Sequence, residues 1–198
     1  GSLIIERMTT REAGKEIDIP DGLVHHWVGL VFIPGVTVDA AVALLQDYDR
    51  HAEIYKPVVA RSKLLAREGD RFRVYLRFFQ KKVITVVVNS EHDARFTREG
   101  RDRAQSRIHS TRIAEVEAPD TPGEREKPVG QDGGYLWRLN TYWRFLERDG
   151  GTYVQCESIT LTRGIPVGFG WLIRPFVTGI PRESLEFTLT TTRRTLAP

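Results

Sequence analysis

The residues of this sequence best able to do chemistry are two adjacent histidines, one carboxylate in mid-strand and a lone thiol. His25 and His26 lie in a stretch that reads as a strand, where successive side chains leave opposite faces, so the pair does not share a metal ion. His51 and His92 sit in charged segments and read as solvated. His109 precedes Ser110, but no third partner completes a hydrolytic triad. Glu157 would become a general base if burial raised its pKa. Cys156 is the single cysteine, which excludes an intramolecular disulfide and a multi-cysteine zinc site, and it reads as a packed thiol. Neither a phosphate-cradling loop nor a dinucleotide fingerprint is present, so no nucleotide cofactor is expected. No metal, no cofactor and no catalytic residue is assigned.

These residues are positioned by a predictable order of elements. The first 22 residues have no sustained period and read as an arm. Leu23 to Ile33 is rich in Val, Phe, Trp and Ile and ends at Pro34-Gly35, the mark of a strand. From Thr37 the apolar residues Val38, Ala41, Val42 and Leu45 recur at helical spacing, and Asp39 suits the positive end of that helix. A second short helix spans Asp49 to Tyr55 and stops at Pro57. Six strand signals follow: Val58 to Ala66, Arg71 to Phe79, Val83 to Asn89, Ala104 to Val116, Tyr135 to Leu146 and Tyr153 to Thr162. Between them, residues 117–134 combine Pro, Gly and charge without an apolar period and read as a mobile hairpin insertion. Ile165 to Val177 reads as an apolar, partly helical passage interrupted at Pro175, and Pro181 as the first position of a last helix. Leu185, Leu189, Thr192 and Leu196 share one face of that helix. The order is thus β-α-α-β6-α, an α+β domain over 23–198 with about seven antiparallel strands.

The last hairpin allows a register to be written. A two-residue Asp149-Gly150 turn pairs Arg148 with Gly151 and then Phe145 with Val154, Trp143 with Cys156, Thr141 with Ser158, Leu139 with Thr160 and Trp137 with Thr162. One strand supplies bulk and its partner supplies small residues. The same register sets Glu157 across from Tyr142 and diagonal to Arg144 on the more polar face, where an ion pair is a better account of it than catalysis. In Arg71 to Phe79, Phe72, Val74, Leu76 and Phe78 share one face, while Arg71, Arg73 and Arg77 share the other with Tyr75 and read as solvated. One long helix and two short ones do not fill the concavity of a strongly bent sheet, so an internal cavity is expected.

Composition narrows the classes of function. Of 198 residues, 40% are hydrophobic and 28% charged, as in an ordinary globular domain able to bury a core. A net charge of +3 without a concentrated Lys/Arg run or base-stacking aromatics gives no ground for nucleic-acid binding. The exposed arginine stripe gives a transient contact with anionic membrane some support. No apolar run approaches the roughly 20 residues that span a bilayer. The chain starts Gly1-Ser2, so the native N-terminus is expected to differ, and localisation and oligomeric state stay open.

Leu44-Leu45-Gln46-Asp47-Tyr48-Asp49 leading to Ile54-Tyr55-Lys56-Pro57-Val58 resembles the two-helix passage of the START-like superfamily, also called SRPBCC, which has the helix-grip fold. Gly164-Ile165-Pro166 and Ile180-Pro181-Arg182-Glu183-Ser184-Leu185 resemble the approach to its C-terminal helix and the start of that helix. The resemblance covers about Leu23 to Leu196, and the bacterial coenzyme-Q-binding and polyketide cyclase/dehydrase branches look nearest. It implies an apolar cavity between a curved sheet and the C-terminal helix, for a lipid, quinone, sterol or polyketide-like molecule. By that resemblance Trp137, Trp143, Phe145, Leu185 and Leu189 become pocket residues, joined by Phe72, Leu76, Phe78, Leu139 and Trp171. Thr141, Ser158 and Thr160 supply hydroxyls for a ligand head group. The expected function is binding, sequestration or transport of that molecule. The alternative is a cyclase or dehydratase acting in the same cavity.

Overall fold

The computed structural model describes residues 2–82, 85–164 and 170–197, with backbone alone over 170–178. Strand β4 (Gly22–Pro34) is followed by helix α1 (Val38–Gln46), a 3-10 turn (Tyr48–Arg50) and the short α2 (His51–Ile54). Then come β5 (Val59–Glu68), β6 (Arg71–Lys81), β7 (Thr85–Arg98), β8 (Arg103–Glu117), β10 (Arg138–Arg148) and β11 (Gly151–Arg163), closed by helix α3 (Gly170–Leu196). These are the expected seven strands and three helices in the expected order.

Two further strands join the sheet. Within the arm, β1 (Ile4–Arg7) pairs antiparallel with β4 from Ile4↔Leu30 to Arg7↔Trp27, and β2 (Arg11–Glu12) with β3 (Lys15–Glu16) makes a separate small hairpin. The arm is therefore an edge strand, missed because a four-residue strand with one half-buried position carries too little alternation to be read. In the insertion, β9 (Arg125–Glu126) pairs with β8 through Val116↔Glu126. The sheet order is β1-β4-β11-β10-β8-β7-β6-β5, all antiparallel, with β9 beside β8.

The β10–β11 hairpin has the register read from its turn, from Arg148↔Gly151 to Leu139↔Thr160. Asp149 and Gly150 both have positive φ, 56° and 76°, as a type I′ turn requires. Thr37 caps α1 by accepting from the Ala40 N–H at 3.2 Å, and the Glu147 carboxylate accepts from the Val38 N–H at 2.7 Å, fastening the helix start to β10.

Two expectations are corrected. Helix α3 does not begin at Pro181; the backbone is helical from Gly170 through Pro175 and Pro181. A proline's fixed φ is a helical value, so the helix runs through each proline at the loss of one backbone bond. Part of the expected apolar passage, residues 165–169, and the first two residues of the Val83 strand lie outside the described residues, as does the Trp171 side chain. Strand β7 runs nine residues beyond Asn89, to Arg98. No helix among the described residues is long and apolar enough to cross a membrane.

Candidate functional site

The register assembles the concave face in rows running across the sheet. One row is Phe72, Ala94, Ile108, Thr141, Ser158 and Trp27, on β6, β7, β8, β10, β11 and β4. On one side of it lie Phe96, Ser106, Trp143, Cys156 and Gly29. On the other side lie Val74, His92 and Ser110, continued by Leu139, Thr160 and His25, with the Leu139 N–H donating to Ser110 Oγ at 3.0 Å.

The two ends of this face differ. At one end Phe72, Trp143, Phe145, Val154, Cys156, Leu185 and Leu189 are fully buried in the main core, and Phe145 stacks on Trp143 at 6.3 Å. Helix α3 lies directly on the sheet there: a methyl group on Gly29 would stand 2.3 Å from Leu189 Cδ1. That end is filled. Toward the other end Trp27, Ile108, Leu139, Thr141 and Ser158 point inward from mid-sheet, yet remain half-exposed, as do Leu76 and Phe78 on β6. This end of the face is the more open of the two, with inward side chains partly exposed at the edge of the core.

The expected site residues divide accordingly. Phe72, Trp143, Phe145, Leu185 and Leu189 stand in the packed end, and Leu76, Phe78, Leu139, Thr141, Ser158 and Thr160 face the open one. Trp137 sits at the rim, where its indole N–H donates to Asp132 Oδ1 at 3.2 Å and the Arg163 guanidinium lies 5.9 Å from its ring.

Among the described residues, three buried polar atoms of the concave face lack a protein partner: Ser106 Oγ, Thr160 Oγ1 and His92 Nδ1. His92 was expected to be solvated and is instead shut in, because β7 continues past Asn89 and turns Ser90, His92, Ala94 and Phe96 inward while Glu91, Asp93, Arg95 and Thr97 point out. The signal was present as strict alternation; the density of charge disguised it. Burial lowers the His92 pKa to about 4, so the ring is neutral at pH 7. His51 is likewise buried, between the rings of Tyr48 and Tyr55, and is also lowered to about 4 by burial. His25 bonds Thr162 Oγ1 at 3.0 Å, with its pKa lowered by burial and then by Arg7.

His26 points away from His25, as expected, and bonds Glu157 Oε1 and Thr10 Oγ1, each at 2.9 Å. Glu157 thus has a cross-strand partner, on β4 instead of at Arg144. Cys156 faces inward, and burial pushes its thiol pKa far up. Among the described residues no cluster of His, Cys, Asp and Glu could hold a metal ion.

Arg77 departs from the solvated stripe. It is 2% exposed, because residues 117–134 fold back over it and Glu124 accepts two bonds from its guanidinium, both 2.8 Å. Asn89 and Arg112 hold Glu126 in the same way, and Glu115 takes Lys127 Nζ and the Gly133 and Tyr135 N–H groups. The reason is complementary charge, which apolar periodicity does not register.

No protein-family model and no curated protein matches the sequence. Solved structures match its fold. The STAR-related lipid transfer protein of Xanthomonas axonopodis superposes with TM-score 0.62 at 17% identity, over 96% of this chain and 98% of that one. A START superfamily protein from Mycobacterium smegmatis gives 0.54 at 10% identity, over 86% and 96%. This chain has the START-like, helix-grip fold. The Zhui aromatase/cyclase from Streptomyces sp. R1128 matches the same fold with TM-score 0.51 at 15% identity, over 88% and 94%. The likeness is one of architecture.

Proposed function

We propose that this START-like domain binds an apolar small molecule between the concave face of its sheet and α3, sequestering or carrying it. The observation that carries this reading is the half-exposed inner surface of Trp27, Ile108, Leu139, Thr141 and Ser158 beside a fully packed end. Burying a ten-carbon chain contributes roughly 8 kcal/mol, against association costs of roughly 4 to 15 kcal/mol. Apolar contact alone barely suffices, so the unpartnered hydroxyl of Thr160 is the natural polar anchor. The lipid-transfer and cyclase names of the structural neighbours agree with a hydrophobic ligand of this kind.

Binding is favoured over a cyclase or dehydratase reaction by the electrostatics of His92. A general base works best with a pKa near the operating pH. With a pKa of about 4, His92 is a poor proton shuttle at neutrality and a good neutral acceptor. The test is titration with N-phenyl-1-naphthylamine, an uncharged fluorescent probe. Saturable one-to-one binding is expected, weakened at least about tenfold by Thr141→Trp, which fills the open end, with the urea midpoint little changed. No saturable binding, or binding indifferent to Thr141→Trp, would contradict the proposal.

The convex face supports a second part of the reading, docking on anionic lipid during loading or release. Register sets Arg71, Arg95 and Arg107 directly opposite one another on β6, β7 and β8, a like-charge row that a sheet tolerates at a cost. Arg71, Arg107 and the nearby Arg144 are exposed and make no ion pair among the described residues. Each such cation adds about 1 kcal/mol near an anionic surface. Co-sedimentation should require phosphatidylserine in the vesicles and be lost at high salt; indifference to both would sink it.

A further inference from the structure

Hydrogen-bond bookkeeping around His92 says more about the ligand than apolar contact does. Ser90 Oγ lies 2.9 Å from the Leu76 carbonyl oxygen and 2.8 Å from His92 Nε2. A carbonyl only accepts, so the one serine proton goes to Leu76. Ser90 Oγ must then accept from His92, which places the imidazole proton on Nε2. The tautomer is settled by its neighbours, and Nδ1 is left as a bare lone pair.

Among the described residues that lone pair has no partner, on a side chain 1% exposed. Buried acceptors in native folds are nearly always satisfied, by protein, water or ligand. The hydroxyls of Ser106 and Thr160 can rotate to meet either a donor or an acceptor, so they do not discriminate between ligands. His92 cannot rotate its proton away from Ser90.

We propose that His92 Nδ1 accepts a hydrogen bond from the bound molecule, whose class is an apolar body carrying a hydroxyl or phenol. The inference rests on the cavity proposed above and adds a required donor to its ligand. Phe78 packs edge-on against the imidazole, ring centroids 6.2 Å apart, so an apolar body beside a polar anchor suits the spot.

The test compares 2-naphthol with 2-methoxynaphthalene, which keeps the rings and lacks the donor. The unmodified protein should bind 2-naphthol about fivefold or more tightly than the ether, the lower end of what an unmet buried acceptor costs. His92→Phe should weaken 2-naphthol to the level of the ether and leave the ether unchanged. Equal affinities in the unmodified protein, or a preference that survives His92→Phe, would overturn the inference while the cavity stands. Failure of both compounds to bind the unmodified protein would overturn the cavity and the inference with it. Should His92→Phe not fold, nitrogen-15 spectra of the unmodified protein decide. The His92 Nδ1 resonance should shift on adding 2-naphthol and stay still with the ether, and the reverse would refute the assignment.

Discussion

Gly29→Ala tests the seam on which the helix grip depends. The added methyl group would lie 2.3 Å from Leu189 Cδ1 and 3.4 Å from Leu185, well inside carbon contact distance. A terminal methyl can often swing aside, but Leu189 is fully buried and α3 is fixed at Gln80, which bonds Ser184 Oγ at 3.2 Å. Overpacking a filled core in this way costs about 1–3 kcal/mol. For a chain of this length each kcal/mol lowers the melting temperature by about 2–4 °C. Urea denaturation of Gly29→Ala, Leu189→Ala and the double variant measures the effect as a cycle. Leu189→Ala alone should cost about 2–5 kcal/mol by leaving a cavity. In that background the added methyl group should be nearly free, giving a coupling of about 1–3 kcal/mol. A cost within about 0.5 kcal/mol for Gly29→Ala, or strict additivity, would refute direct contact between helix and strand.

Three further outcomes follow from the same structure. His92 and His51 titrate near 6.5 when unfolded and about 4 when folded, so the unfolded chain binds more protons between those values. Stability is full above about pH 6.5 and falls as pH drops toward 4, by at most about 3 kcal/mol for each group. Urea midpoints over that range check it, and His92→Phe should flatten the slope. Glu124→Gln removes the charge facing buried Arg77 and should speed tryptic cleavage at Arg125 and Lys127; unchanged cleavage would refute the clamp. Gly150→Ala strains the positive-φ turn position and should cost about 1 kcal/mol, measurable by thermal melting, whereas Asp149→Gly should be neutral or mildly stabilising.

The fold was legible where period and turn chemistry agreed. Asp149-Gly150 set an eleven-pair ladder, because a two-residue turn leaves one register and period 2 then assigns every face. It was illegible where charge did the work of burial. Arg77 looked solvated because the glutamate that covers it lies 47 residues away. His92 looked solvated because acidic and basic neighbours flank it, although those neighbours alternate strictly with Ser90, Ala94 and Phe96. Pro181 marks only what a local segment prefers, whereas the helix runs from Gly170 to Leu196. For the candidate site, the hydroxyl face of β11 could be read from one hairpin. The division of the concave surface into a filled and a more open end depends on how α3 packs against β4 and β11, which no local pattern contains.

The central claim is that an apolar molecule with a hydrogen-bond donor occupies the open end of the sheet. Native mass spectrometry of the purified protein, followed by organic extraction and mass analysis of the bound fraction, tests it most directly. The account predicts an added mass of small-molecule size, released on extraction, from a predominantly apolar compound with a free hydroxyl, and displaced by 2-naphthol. A protein that is empty by native mass spectrometry and also takes up neither 2-naphthol nor N-phenyl-1-naphthylamine would contradict it.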